Sequence, residues 1–263
     1  MINSLKKWLS EPLTRDISLD DPALTSLRRE VLQRKNFLRQ IYSEWYRMII
    51  RAIPNFPGDV LELGSGAGFT KELFPQLITS EIFWQPDLNL VLDGCNLPVH
   101  AQSLKAIIMT DVFHHIPNAR LFLSEAARCL VSGGIVAMVE PWFTPWSGVI
   151  YRHFHHEPFQ PESPAWEFES TGPLSGANGA LPWIVFERDK TIFSRDFPGF
   201  VVETVRPMMP VCYLISGGLS TRALAPGWSY RYWRIFEKSL DRWVTSLGMF
   251  SFIVLRRIDA LDR

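Results

Sequence analysis

The segment Val60-Leu61-Glu62-Leu63-Gly64-Ser65-Gly66-Ala67-Gly68 sets three glycines at alternate positions directly after a short apolar run, with an acid two residues ahead of the first glycine. A backbone that turns off a strand through such a run can pass within contact distance of a bound ligand, where a side chain would collide. The pattern is Gly-x-Gly-x-Gly, not the Gly-x-Gly-x-x-Gly that presents amides to a dinucleotide pyrophosphate, which points away from NAD. Five of the six histidines form two groups, His114-His115 and His153-Phe154-His155-His156. An imidazole near its free pKa takes a proton from a hydroxyl and typically contributes about 10²- to 10⁴-fold. His115 is the first candidate for that role and His155 the second, with His114 beside them; packing beneath a ligand is the competing role for His114 and His115. His153, His155, His156 and Glu157 match no zinc spacing, so no metal is expected.

The elements that position these groups follow from periodicity. Asp21 can cap a helix with Pro22 at its first position, and Leu32, Phe37, Ile41, Trp45 and Ile49 recur at near-helical spacing, so Asp21 to Ile53 reads as one or two helices ended by Pro54 and Pro57. Val60 to Leu63 reads as a strand feeding the glycines, and Phe69 to Leu77 as the helix that follows. Leu77 to Ile82, Leu90 to Leu92, Ala106 to Thr110 and Ile135 to Glu140 are further strands. A helix at Asn118 to Leu130 is closed by Ser132-Gly133-Gly134. After a helix near Val185 to Arg195, Phe200 to Val205 and Met249 to Leu255 close the sheet, with a helix at Ser229 to Leu247 between them. The expected fold is therefore α/β, a doubly wound, mostly parallel seven-stranded Rossmann-like sheet with N-terminal helices. Residues 1–56 form a helical cap and 57–263 the main domain, with an insertion at about 141–183. That insertion, Pro141 to Leu181 in its core, is too long for an ordinary connection and is expected to serve as a lid or acceptor wall. Its Trp142, Phe143, Trp146, Tyr151, Phe154, Phe159 and Trp166 suit an apolar or amphipathic molecule or a sugar ring.

Through Val60 to Gly68 and three later segments, the chain resembles the class I S-adenosylmethionine-dependent methyltransferases, particularly those acting on small molecules and lipids. The likeness spans roughly Gly58 to Pro141. In that family an acid ending the second strand grips both ribose hydroxyls, which the resemblance assigns to Glu81; a carboxylate accepts two such hydrogen bonds together. It likewise assigns the adenine contact to Asp93 in Leu92-Asp93-Gly94-Cys95-Asn96-Leu97-Pro98. Asp111-Val112-Phe113-His114-His115-Ile116 and Arg128-Cys129-Leu130-Val131-Ser132-Gly133-Gly134 are the other matches. Only Phe83 to Asn89 separate the second and third strands, too few for the usual crossover helix. The resemblance implies S-adenosylmethionine as cofactor, held by Glu62, Gly64, Ser65, Gly66, Gly68, Glu81, Asp93, Gly94 and Thr110. It implies an enzyme transferring a methyl group to a small or lipid-linked acceptor, expected at oxygen. The alternative is a catalytically silent relative that binds the cofactor or a protein partner.

The chain's 263 residues, 47% of them hydrophobic, can bury a full core, and 27 basic residues balance 27 acidic ones. That balance supplies no overall field for a polyanion, and the fourth strand does not end in the Asp/Asn-Pro-Pro-Tyr of base-amino methyltransferases, so no nucleic-acid partner is expected. Cys95, Cys129 and Cys212 form no Cys-x-x-Cys pair, and no signal sequence or spanning run is evident; the expected location is cytoplasmic, with a membrane-associated variant of that reading. The variant rests on Tyr232, Phe236, Leu240, Trp243 and Leu247, which form an apolar stripe beside Arg231, Arg234, Lys238 and Arg242. Packing of that stripe on the sheet is the expectation and peripheral contact with an anionic membrane the alternative.

Overall fold

The Asp21 carboxylate accepts from the Ala23 amide at 2.9 Å and Pro22 takes the first helical position, so the first helix runs Pro22–Arg34. A second, Asn36–Ala52, buries Phe37, Leu38, Ile41, Tyr42, Trp45, Tyr46 and Ile49 along one face. In this computed structural model the described residues are 8–155, 157–170, 172 and 175–259; His156 of the second histidine group lies outside them. Trp45 lies 5.7 Å from the Tyr213 ring and 4.8 Å from Phe250, so the N-terminal helices share one core with the sheet.

Seven strands, β1 Asp59–Leu63, β2 Ile78–Glu81, β3 Leu90–Val91, β4 Leu104–Thr110, β5 Leu130–Pro141, β6 Phe200–Met208 and β7 Phe250–Arg257, form one sheet in the order β3-β2-β1-β4-β5-β7-β6. The pairs from β3 to β5 are parallel; β7 runs antiparallel to both β5 and β6. The strand order reverses between β1 and β4, and their carboxyl ends open a crevice there, where doubly wound sheets bind ligands. The centres of β4 and β5 are buried, which is why Ala106 to Met109 and Ile135 to Val139 read as apolar runs.

Three elements differ from the sequence expectation. The helix after the glycine turn is only Thr70–Leu73, because Pro75 disfavours helical geometry in the residue before it. Ser132-Gly133-Gly134 belongs to β5, which begins at Leu130 as soon as the Ala119–Cys129 helix ends. The C-terminal helix is broken into Tyr230–Ser239 and Val244–Leu247, joined by a 3₁₀ turn at Asp241–Trp243. Tyr230–Ser239 does not pack its stripe on the sheet: only Tyr230 and Glu237 are buried, while Trp228, Tyr232, Ile235 and Phe236 are 77, 68, 66 and 47% exposed. Buried Glu237 anchors the helix instead, accepting from the Val211 and Cys212 amides at 2.7 and 2.5 Å and pairing with Arg234. The absent crossover helix between β2 and β3 is as expected.

Candidate active site

Gly64 leaves β1 with φ +64°, a conformation that costs a side-chain-bearing residue about 1–2 kcal/mol, and a Cβ built there would lie 2.4 Å from Val112 Cγ2. At Gly66 the added carbon would lie 2.6 Å from the Glu81 carboxylate. The turn is therefore bare where it faces the strand ends. The Ser80 hydroxyl donates to the Glu62 carbonyl at 2.6 Å, and the Ser65 amide donates to the Ser80 carbonyl at 2.9 Å, pinning the turn to β2.

A cavity of about 960 Å³ opens over this turn. All nine residues expected to hold the cofactor line it: Glu62, Gly64, Ser65, Gly66, Gly68, Glu81, Asp93, Gly94 and Thr110. Burial pushes Glu62 up to about 7, against the pull of the Thr70 and Ser65 hydroxyls, and raises Glu81 as well. The first two helices add Thr25, Arg28, Tyr42 and Tyr46, none of which the sequence pointed to. Arg28 makes no ion pair or hydrogen bond among the described residues, yet its charge draws down the Glu81 and Asp111 carboxyls. Arg28 stands among Thr25, Ser26, Arg29 and Glu30 on its helix, so nothing in the local pattern selects it.

The same cavity is also lined by His115, His155, Asp111 and Glu157, with Tyr151 and Phe154. His114 lies just beneath, 1% exposed. The Val112 and Phe113 amides donate to Glu140 Oε1 at 2.9 and 2.8 Å, and His114 Nδ1–H donates to its Oε2 at 2.8 Å. His115 Nδ1–H donates to the Gly176 carbonyl at 3.1 Å. Both Nε2 atoms turn toward Glu157, at 3.3 Å from His114 and 3.6 Å from His115, and His155 Nδ1 lies 3.7 Å from the same carboxylate. The two neighbouring carboxylates hold His114 well above the ordinary histidine range even though burial opposes it; burial and His114 together depress His115 to about 4. Burial raises Asp111 to about 7, and its backbone sits at φ +63°.

The aromatic excursion is only partly a wall. Tyr151 and Phe154 reach the cavity, but Trp142, Phe159 and Trp166 are buried in the core and Trp146 donates its indole N–H to the Pro210 carbonyl at 2.9 Å. Glu157, which the sequence grouped with His153, His155 and His156 and set aside, joins the site: it follows a helix, Pro145–Phe154, whose capping box at Thr144 and Ser147 sets where the chain returns to the strand ends.

The sheet order, the bare turn at the switch point and the acids around it define a doubly wound α/β protein with a strand-end ligand cavity. Residues 61–138 match the methyltransferase domain family. Among solved structures, the fold is similar to geranyl diphosphate C-methyltransferase from Streptomyces coelicolor A3(2) crystallised with Mg²⁺, geranyl diphosphate and S-adenosyl-L-homocysteine. That likeness has 14% identity over 95% of this chain and 90% of that one, with a TM-score of 0.53. The methyltransferase chain in the complex with the Haloferax volcanii Trm112 methyltransferase activator is similar at 14% identity over 93% and 100% of the two chains, TM-score 0.50. No curated protein sequence matches the chain. The chain thus carries a methyltransferase-domain match over this segment and shares its fold with solved S-adenosylmethionine-dependent methyltransferases.

Proposed function

We propose that the protein is an S-adenosylmethionine-dependent methyltransferase that methylates a hydroxyl oxygen of a small or lipid-linked amphipathic acceptor. In this reading Glu62, Gly64, Ser65, Gly66, Gly68, Glu81, Asp93, Gly94 and Thr110 hold the cofactor, and the group of His115, His155 and His114 takes charge of the acceptor's proton. The observation that carries the reading is that one cavity contains both the bare glycine turn and, beyond it, a polar island of His115, His155 and Glu157 set among Ile17, Leu19, Ile150, Phe154, Leu219 and Leu224. An amphipathic molecule fits such a surface, its apolar body on the leucines and isoleucines and its hydroxyl on the island.

Bound S-adenosylmethionine supplies a methyl group on a sulfonium. The residues align the acceptor oxygen with it, exclude water and receive one proton. Leu224 lines the cavity and is 60% exposed, and Trp228, Tyr232, Ile235 and Phe236 follow it on the surface beside exposed Arg231, Lys238 and Arg242. That apolar and basic rim supports delivery of the acceptor from an anionic lipid surface. Among the described residues no helix is long and apolar enough to cross a membrane.

The test is transfer of tritiated methyl from S-adenosylmethionine into a chloroform–methanol extract presented in anionic vesicles, run beside an aqueous extract, with the labelled product located by mass spectrometry. Label in the organic phase, on an ether or ester oxygen, is the expected result. Label confined to water-soluble products, or methylation at carbon or nitrogen, overturns the reading.

A further inference from the structure

We propose that His114 Nε2, His115 Nε2 and Glu157 bind one divalent first-row transition-metal ion of the Zn²⁺ type at the acceptor end of the cavity. Three donor atoms, one from each residue, lie within 4.8 Å of one another. His114 Nε2 stands 3.3 Å from Glu157 Oε2, the edge of about 3.3 Å that a tetrahedron with metal–ligand bonds of about 2.0–2.1 Å requires, and His115 Nε2 stands 3.6 Å from the other oxygen, Oε1.

The hydrogen bonds behind the ligands orient them for this. Metal-bound imidazoles almost always donate their other N–H to a carboxylate or a backbone carbonyl. His114 does so to Glu140 and His115 to the Gly176 carbonyl, leaving both Nε2 atoms to point at one place. An independent observation agrees: His114 Nε2 is buried and makes no hydrogen bond among the described residues, although it stands 3.3 Å from Glu157 Oε2.

Two imidazoles and a carboxylate leave a coordination position open, as in catalytic zinc sites. Resting on the oxygen reading above, the ion binds the acceptor hydroxyl there and lowers its pKa. The O–H proton passes to His155 at the cavity rim and on to solvent. The oxygen then bonds to the methyl carbon while the carbon–sulfur bond breaks, and sulfur keeps the electron pair.

The experiment uses the full chain, stripped with a chelator and titrated with Zn²⁺ and with Co²⁺, whose visible absorption reports its ligands, with stoichiometry from elemental analysis. One ion per chain is expected, with affinity reduced at least 100-fold in His115→Gln and in Glu157→Gln and about 10- to 100-fold in Glu140→Gln, while S-adenosylhomocysteine binding by calorimetry stays within threefold. That cofactor binding shows the variants are folded. Wild-type protein that takes up no stoichiometric ion, or an ion retained unchanged in both ligand variants, overturns the site and leaves His114 as an imidazolium held between two carboxylates. Because metal uptake is read without an acceptor, failure of the oxygen-methylation assay with a metal bound at these residues overturns only the reading of the reaction.

Discussion

Replacing Arg28 with methionine should separate two ligands that differ only in their amino-acid arm. Arg28 sits in the wall of the cavity with the glycine turn, Tyr42 and Tyr46, makes no ion pair among the described residues, and acts electrostatically on Glu81 at one side and Asp111 at the other. A guanidinium held so suits the α-carboxylate of the cofactor's methionine arm, reached by charge-assisted hydrogen bonds. A hydrogen bond to a charged group contributes about 1.5–3 kcal/mol, so its loss should weaken S-adenosylhomocysteine binding about 10- to 150-fold. Methionine keeps most of the stem's apolar contact, so methylthioadenosine, which has the same adenosine and sulfur but no amino-acid arm, should bind as it does to the unaltered enzyme. Isothermal calorimetry with both ligands on both proteins reads the difference. Equal weakening of the two ligands would mean that Arg28 shapes the cavity and holds no carboxylate; no change in either would place the carboxylate elsewhere. Both results refute the argument.

Gly64→Ala combines the left-handed backbone with a 2.4 Å approach to Val112, a sum of about 2–5 kcal/mol, and should lower Tm in differential scanning calorimetry by roughly 10 °C; an unchanged Tm would show that the turn relaxes freely. Glu62 faces the Ser65 and Thr70 hydroxyls and the Glu81 carboxyl, with Tyr46 near it, and its pKa of about 7 lies above the ordinary glutamate value. The stability it contributes to the ligand-free protein is therefore complete below about 4.5 and lost as pH rises through about 7. The cationic cofactor favours the ionised form, so its affinity should rise with pH, by at most tenfold per unit, up to about 7 and then level off. In Glu62→Gln most of that slope should vanish in calorimetry from pH 5.5 to 8.5, and an identical slope in the variant would assign it to another group. Trp228→Ser combined with Phe236→Ser removes two exposed rings without touching the core, and should reduce co-sedimentation with anionic vesicles at least fivefold while leaving S-adenosylhomocysteine affinity unchanged. Equal sedimentation of variant and parent would detach the rim from any lipid role.

Much of the fold and of the cavity wall around the glycine turn was legible in the residue order, because what governs them is local. A strand, a side-chain-free turn and a cap such as Asp21 with Pro22 are decided by sterics within a few residues, and alternation of strands with helices leaves a doubly wound sheet as the economical way to bury both faces. Glu62, Glu81 and Asp93 stand at strand ends for the same reason, and the cavity wall includes all three. Periodicity also told which residues of Tyr230–Ser239 share a face, but not what covers it; the structure leaves Tyr232 and Phe236 in solvent. The Pro141 to Leu181 excursion has no period at all, so only tertiary packing could send Trp142, Phe159 and Trp166 into the core and bring Tyr151 and Phe154 to the cavity. The meeting of Glu157 with His114 and His115, and of Arg28 with the glycine turn, depends on how segments far apart in the chain close on one another. Closure of that kind is set by the summed burial of the whole core, a non-local quantity that short-range spacing does not carry.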